Sequence, residues 1–238
     1  LRQKLNSEEI TYIYQFNFED GSQKDFKVVI DTNTLLIKRD NNLLMPEWTE
    51  LKNFKCPHCP LNEKETAHCP VAVNLVAVIE EFYGCASYDM VDIKITTEAR
   101  QYYKKDSLQV GVSSFIGILM VTSGCPIMGK LKPMVKFHLP FASLEETEYR
   151  VLSMYMLAQY FLWKRGNKPD WEFQNLTHMY EDIRILNQNV CKRIADLEQK
   201  DTSINSVVVL NNFADYVSFN IDQKMMDEVE ILFNDYFK

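Results

Sequence analysis

Between Ile10 and Phe18, aromatic and β-branched residues partly alternate with polar ones, and Asp20, Gly21 and Ser22 form a turn after them. That pattern predicts a strand and a hairpin, with Asp25 to Ile30 as the return strand and Leu35 to Lys38 as a third. Residues 1–45 therefore read as an antiparallel β-meander. Pro46 to Lys55 lead into a cysteine-rich loop over 46–69. The run Val71 to Phe82 then has helical length, with Pro70 at the first helical position, Cys69 at the N-cap and Gly84 as the stop. Met90 to Thr97 and Arg100 to Lys105 alternate as a second hairpin.

Helical patterns dominate the chain from Ser107 onward. Ser107 is placed to cap a helix through Val121, and Ser143-Leu144-Glu145-Glu146 forms a capping box whose helix runs to about Lys164 and stops at Gly166. Within it, Val151 to Trp163 is apolar on nearly every side, the mark of a central core helix. Asp170 or Asn175 begins another helix to about Gln199, and two more fall near 203–216 and 222–237. There is no repeat and no Gly/Ser/Pro linker. The chain thus predicts a single α+β domain over 1–238. In it, the meander and the hairpin near 90–105 pack on a predominantly helical C-terminal bundle.

Charge narrows the partners. Against 33 Asp and Glu stand 26 Lys and Arg, a net charge of −7, which disfavours non-specific attraction to a phosphate backbone. The longest apolar run, the 12 residues Val110 to Val121, is too short to cross a bilayer. Neither nucleic acid nor membrane is expected as a partner. The chain opens at Leu1, not Met, without a charged segment leading into an apolar one, so the natural N-terminus is expected to lie outside this sequence.

The chemistry concentrates in the cysteines. Of the six, Cys56, Cys59, Cys69 and Cys125 are each succeeded by proline, and these four pairs use half of the chain's 8 prolines. Proline fixes φ near −65° and removes a donor, so it sets the angle at which the chain leaves each sulfur. Cys85 and Cys191 lack the feature and are expected to pack as small apolar residues. Cys56-Pro57-His58-Cys59, nine intervening residues and Cys69 form a C-x2-C…C pattern. The short turn brings two thiolates to one side, and a third cysteine after the polar loop Leu61 to His68 extends the set. Cys125, in Ser123-Gly124-Cys125-Pro126, is the first choice for the fourth ligand, with His68, His58 and the more distant His138 as competitors. Adjacent residues on an extended segment face opposite sides, which counts against His68 and Cys69 sharing one ion. At a helix N-terminus Cys69 is expected to be thiolate-prone. Zinc is the first expectation and an iron–sulfur cluster the second. Pro60 cannot supply the N–H that the residue after a zinc knuckle's second cysteine often gives, and Cys-Pro recurs in iron–sulfur motifs.

Cys56-Pro57-His58-Cys59 also resembles the active-site tetrapeptide of DsbA-like thiol oxidoreductases. That resemblance implies a thiol-disulfide enzyme or redox sensor, with Cys56 attacking and Cys59 resolving. It also implies a helix beginning at Cys56, in which Pro60 lacks the amide for the first intrahelical bond, and a βαβ context where the pattern gives a hairpin. Leu139-Pro140 would have to imitate that family's cis-proline.

Other groupings are weaker. His178 and Glu181 share a helix face at i, i+3, in the reverse order of a di-iron unit, and read as a surface pair. Asp89, Asp92 and Lys94 are similar to the carboxylate and lysine set of metal-dependent nucleases, a pattern that alternating strand charges also produce. Lys130, Lys132, Lys136 and His138 read as a solvated basic face beside a partly buried histidine. G-x-S-x-G, H-E-x-x-H, P-loop and dinucleotide-binding motifs are absent from the sequence.

Four segments, Cys56 to Leu61, His68 to Leu75, Thr122 to Pro126 and Phe137 to Ala142, look like an uncharacterised bacterial family of unknown function with Cys-Pro-rich motifs. The resemblance spans nearly the whole chain and implies a bacterial, cytoplasmic protein, without a mechanism. The combined expectation is a metal-binding domain with Cys56, Cys59, Cys69 and Cys125 as ligands. Such a domain would be structural, redox-sensing or regulatory, with a protein partner carrying the biology.

Overall fold

The computed structural model describes residues 8–39, 45–197, 201–220 and 223–238. The two hairpins share one sheet. Strand β1 (Glu9–Phe18) pairs antiparallel with β2 (Gln23–Asp31) on one edge and with β3 (Met90–Thr97) on the other, and β3 pairs with β4 (Gln101–Ser107). The order is β2-β1-β3-β4. The expected third meander strand at Leu35 to Lys38 is reduced to one bridge between Ile37 and Ile30. Leu35 takes a left-handed φ of 53°; the bridge is flanked by Asp31 N–H to Leu36 O at 3.0 Å and Lys38 N–H to Val29 O at 2.7 Å, while the Ile37 N–H faces the other way and donates to Thr122 O at 3.1 Å.

The helices are α1 (Leu51–Phe54), α2 (Pro70–Phe82), α3 (Leu108–Val121), α4 (Lys132–Lys136), α5 (Leu144–Lys164), α6 (Gln174–Ile194), α7 (Thr202–Asn220) and α8 (Gln223–Glu230). The expected ends of two helices, near Gln199 and at 222, lie outside the described residues. Most starts agree with the sequence pattern. Pro70 opens α2, Ser107 precedes α3, and both bonds of the Ser143–Glu146 capping box are present. At α6 the Asp170 carboxylate accepts from the N–H groups of Gln174 and Asn175 at 3.3 and 2.7 Å, although the helix itself begins after Phe173.

Alternation on the strands buries one sheet face: Tyr12, Tyr14 and Phe16 of β1, Val28 and Ile30 of β2, and Val91, Ile93 and Ile95 of β3. Helices α2 and α3 cover it. The Phe82 ring meets Phe16 at 5.1 Å between centroids, and Phe115 meets Tyr14 at 4.8 Å. Helix α7 then packs on α3 and α6.

Helix α5 departs from the expectation of a central core helix. Its buried side is Glu148, Val151, Leu152, Tyr155 and Gln159, one stripe at helical spacing. Leu157, Tyr160, Phe161, Leu162 and Trp163 are exposed, Trp163 at 59%. All-round apolarity shows that a helix has apolar faces; whether neighbours cover them depends on the packing of other elements.

Two glycines of α3 make opposite demands. A Cβ on Gly111 would stand 2.7 Å from both Ile93 Cδ1 and Phe16 Cε1, so the absent side chain is what lets the helix lie directly on the sheet. A Cβ on Gly117 meets only Leu210 Cδ2, at 3.6 Å. In urea unfolding, Gly111→Ala is expected to lose about 1–2 kcal/mol net of its helix-propensity gain, whereas Gly117→Ala is expected to gain up to about 1 kcal/mol. Equal signs for the two would contradict the close approach.

His138 is half-buried at the edge of the core: its Nε2 shares a 2.8 Å hydrogen bond with the Tyr14 hydroxyl, with Ser114 Oγ at 3.3 Å. Burial, aided by the Arg150 charge, pushes its pKa down to about 3. Its folded value lies below the unfolded one, so the unfolded chain binds more protons between about pH 3 and 6.5. Stability is full above pH 6.5 and is expected to fall by up to about 1.4 kcal/mol per pH unit below it. Urea titrations of wild type and His138→Gln from pH 7.5 to 4.5 measure this, and the variant should show the shallower slope.

Candidate metal centre

Three separate pieces of backbone carry the four cysteines. Cys56 and Cys59 lie on a turn after α1, where the Cys59 N–H donates to Cys56 O at 3.1 Å. The chain then doubles back: Leu51 N–H donates to Ala67 O at 2.8 Å, Glu50 bridges His68, and the Cys69 N–H donates to Thr49 O at 2.8 Å. This clip sets Cys69 at the N-cap of α2, beside the turn that holds Cys56. Cys125 sits on a turn just past α3, where Gly124 has a φ of 98°, the Cys125 N–H donates to Ser123 Oγ at 3.1 Å and Cys125 O accepts from Gly129 at 2.8 Å.

All four side chains line one cavity of about 10 Å³. The rest of its wall is carbon, including Phe54, Ile127, Leu186 and Val190. Each of the four thiols lies within electrostatic reach of the other three. None of these four cysteines forms a disulfide. Among the described residues, no group of three His, Cys, Asp or Glu side chains stands at metal-holding spacing.

Burial dominates the acidity of Cys56, Cys69 and Cys125. It pushes Cys56 up to about 12, with the charges of Cys69, Cys125 and Cys59 adding to it and the Asn189 amide opposing. Cys69 rises to about 11, and Cys125 is raised as well. The expectation of a thiolate-prone Cys69 is thereby reversed. The N–H groups of Ala72 and Val71 do favour its thiolate, but without closing a capping hydrogen bond, and desolvation outweighs them.

The histidine competitors point elsewhere. Thr49 Oγ1 donates to Pro46 O at 2.7 Å, so His68 Nδ1–H donates to Thr49 Oγ1, at 2.8 Å. His58 Nε2–H donates to Asp182 O at 2.9 Å; its Nδ1 is buried without a partner among the described residues, yet the side chain is not part of the cavity wall. His138 is held by Tyr14. Cys85 and Cys191 also lie outside the cavity, packed against the hydrophobic core.

The family model described as Domain of unknown function (DUF6901) matches residues 12–234. The chain belongs to this family. No curated protein and no solved structure matches the chain. The four cavity cysteines of this DUF6901 chain fall inside the matched span.

The other groupings do not assemble sites. In the DUF6901 chain, Cys56-Pro57-His58-Cys59 is an irregular turn rather than a helix start, and the peptide before Pro140 is not cis. Asp89 caps a turn through the Ala86 N–H, while Asp92 accepts from the Tyr103 hydroxyl on the exposed hairpin. Glu181 pairs with Arg184 at 3.6 Å instead of His178. Lys130 pairs with Asp182, and Lys132 donates to Thr34 O.

Residues that sequence reading missed hold the ligand-bearing segments together. Arg39 Nε donates to Asn74 Oδ1 at 2.7 Å, while its Nη2 donates to Pro70 O at 3.3 Å and to Ser123 O at 2.8 Å, tying the start of α2 to the Cys125 turn. Asn189 Nδ2 donates to Phe54 O at 3.1 Å and to Cys56 Sγ at 3.5 Å. No motif marks an arginine whose partners lie 31 to 84 residues away. Arg39→Met leaves Asn74 Oδ1 and two carbonyls without their donor and is expected to cost about 2 kcal/mol in urea unfolding. A change below about 0.5 kcal/mol would show that the staple contributes nothing.

Proposed function

We propose that Cys56, Cys59, Cys69 and Cys125 bind one metal ion in a closed, four-thiolate structural site, with zinc as the fitting ion. The observation that carries this reading is the convergence of the four Cys-Pro cysteines, from three distant stretches of chain, on a single carbon-walled cavity. Four sulfurs complete a tetrahedron and leave no position for substrate or attacking water, so the contribution is to folding and shape, not hydrolysis. A cavity of about 10 Å³ has room for one atom-sized sphere, which favours a single ion over an iron–sulfur cluster.

The chemistry is one of exchange. The four thiols release their protons as the metal takes their place, and the sulfurs draw in from the cavity wall. Loading therefore weakens as pH falls. The metal would join the loop after α1, the start of α2 and the turn after α3 into one unit, next to α6. Coordinated or reduced thiols suit a cytoplasmic setting.

The alternative, a thiol-disulfide oxidoreductase with Cys56 attacking, is less well supported. A reactive thiol is accessible and has a lowered pKa. Cys56 is 8% exposed and pushed up to about 12.

Elemental mass spectrometry on anaerobically purified, tag-free protein tests the proposal. The expected result is about one zinc per chain, lost in Cys125→Ser together with several kcal/mol of stability, since structural metal binding is itself folding energy. Three to four irons would replace the ion by a cluster. No metal, with Cys125→Ser unchanged in stability, would overturn the metal reading and favour the redox one.

A further inference from the structure

A second cavity, of about 600 Å³, lies between α3, the Met128–Leu144 segment, α5, α6 and α7. That volume and a mostly apolar wall with a few polar groups are the attributes of a small-molecule site. Val110, Val121, Leu139, Ile183, Leu210 and Phe213 supply the apolar surface.

Its charges have one sign. Among the described residues, no aspartate or glutamate lines it, and the ionisable groups that do are Lys104, His138, Arg150 and Tyr180. Lys104 is already paired with Asp106 at 2.8 Å. His138 is neutral and bound to Tyr14. Arg150 is half-buried and forms no ion pair among the described residues; its Nη2 donates to the carbonyls of Phe137 and Met134 at 3.0 and 3.4 Å. The nearby Glu146 carboxylate is engaged by the Ser143 N–H in the capping box. Among the described residues, Arg150 is thus the lining cation without a direct ion pair, with the Glu146 carboxylate in its electrostatic reach.

The wall also holds an unfilled acceptor, enclosed within it. Asn187 is 1% exposed, and its Oδ1 has no hydrogen-bond partner among the described residues. A buried amide oxygen left alone costs free energy, and because it is enclosed, a donor in the cavity reaches it only when the Asn187 side chain turns toward that space. Tyr180, Ile183 and Asn187 fall at i, i+3 and i+7 and share one face of α6. Tyr180 lies within electrostatic reach of Arg150. Asn187 therefore sits about 10 Å further along the helix from the cationic end, at about 1.5 Å per residue.

We propose that this cavity binds an amphipathic carboxylic acid: the carboxylate pairs with the Arg150 guanidinium, the apolar body fills the space between α3, α6 and α7, and a hydroxyl or N–H on that body donates to Asn187 Oδ1 as that side chain turns into the cavity. A guanidinium suits the head group because its planar fork matches a carboxylate with two parallel bonds.

Titration calorimetry with three twelve-carbon probes tests it: 12-hydroxydodecanoate, dodecanoate and the neutral 1,12-dodecanediol. The wild type is expected to bind 12-hydroxydodecanoate at least tenfold more tightly than the diol and several-fold more tightly than dodecanoate. Arg150→Met should erase the preference over the diol, a selectivity readout that a merely structural role would not move. Gly117→Leu, whose Cβ has ordinary room and whose side chain would enter the cavity, should keep the thermal midpoint and weaken both α,ω-probes at least tenfold. Equal binding of acid and diol, a preference surviving in Arg150→Met, unchanged binding in Gly117→Leu or no binding at all would each overturn the proposal. Equal binding of dodecanoate and its hydroxy form would overturn the Asn187 contact.

Discussion

One buried hydrogen bond sets the geometry on which the cysteine cluster depends. Asn74 Nδ2, inside α2, donates to Leu119 O near the end of α3 at 2.7 Å. Asn74 lies five residues after Cys69, and Leu119 six before Cys125, so this bond fixes the register at which the start of one helix faces the end of the other. Its other end is engaged as well, since Asn74 Oδ1 accepts from Arg39. In a low-dielectric interior, an amide with both ends satisfied tolerates little sliding, because any shift strands a donor and an acceptor together. Two cysteines 56 residues apart are held as neighbours by this restraint.

The sheet makes that register possible. Its apolar face accepts α3 only because Gly111 lets the helix backbone approach Ile93 and Phe16, and α2 shares the same aromatic surface through Phe82. Close packing then leaves two spaces of different character. Beside α6, Leu186 and Val190 close the carbon wall around the four sulfurs, while Ile183 and Asn187 on the same helix line the larger cavity with Arg150. A closed thiol cluster would stiffen the frame, and the open apolar volume is where a ligand would enter. One helix serves both because neighbouring stripes on its surface face different neighbours.

The exposed end of α5 results from the same packing. Its buried stripe meets the loop before α6, where Tyr155 donates to Asp170 and Gln159 Oε1 accepts from the Asp170 N–H. Beyond that contact the helix runs past the body, and the Tyr160 ring meets Phe161 and Trp163 at tilted angles instead of meeting the core. Among the described residues no helix is long and apolar enough to cross a membrane.

The sequence by itself determined what is local. Alternation marked β1 to β4, Pro70 and the Ser143 capping box marked helix starts, and the shared Cys-Pro signature separated four cysteines from the other two, because these signals depend on backbone geometry within a few residues. Tertiary structure alone decided what depends on neighbours distant in sequence. It joined the two hairpins into one sheet, reduced the third meander strand to a single bridge, left half of α5 uncovered and raised the Cys69 thiol where the helix terminus alone would have lowered it. Arg39, Asn74 and Asn189 became legible only there, since a polar side chain acquires its role from the carbonyl or amide that long-range packing places against it.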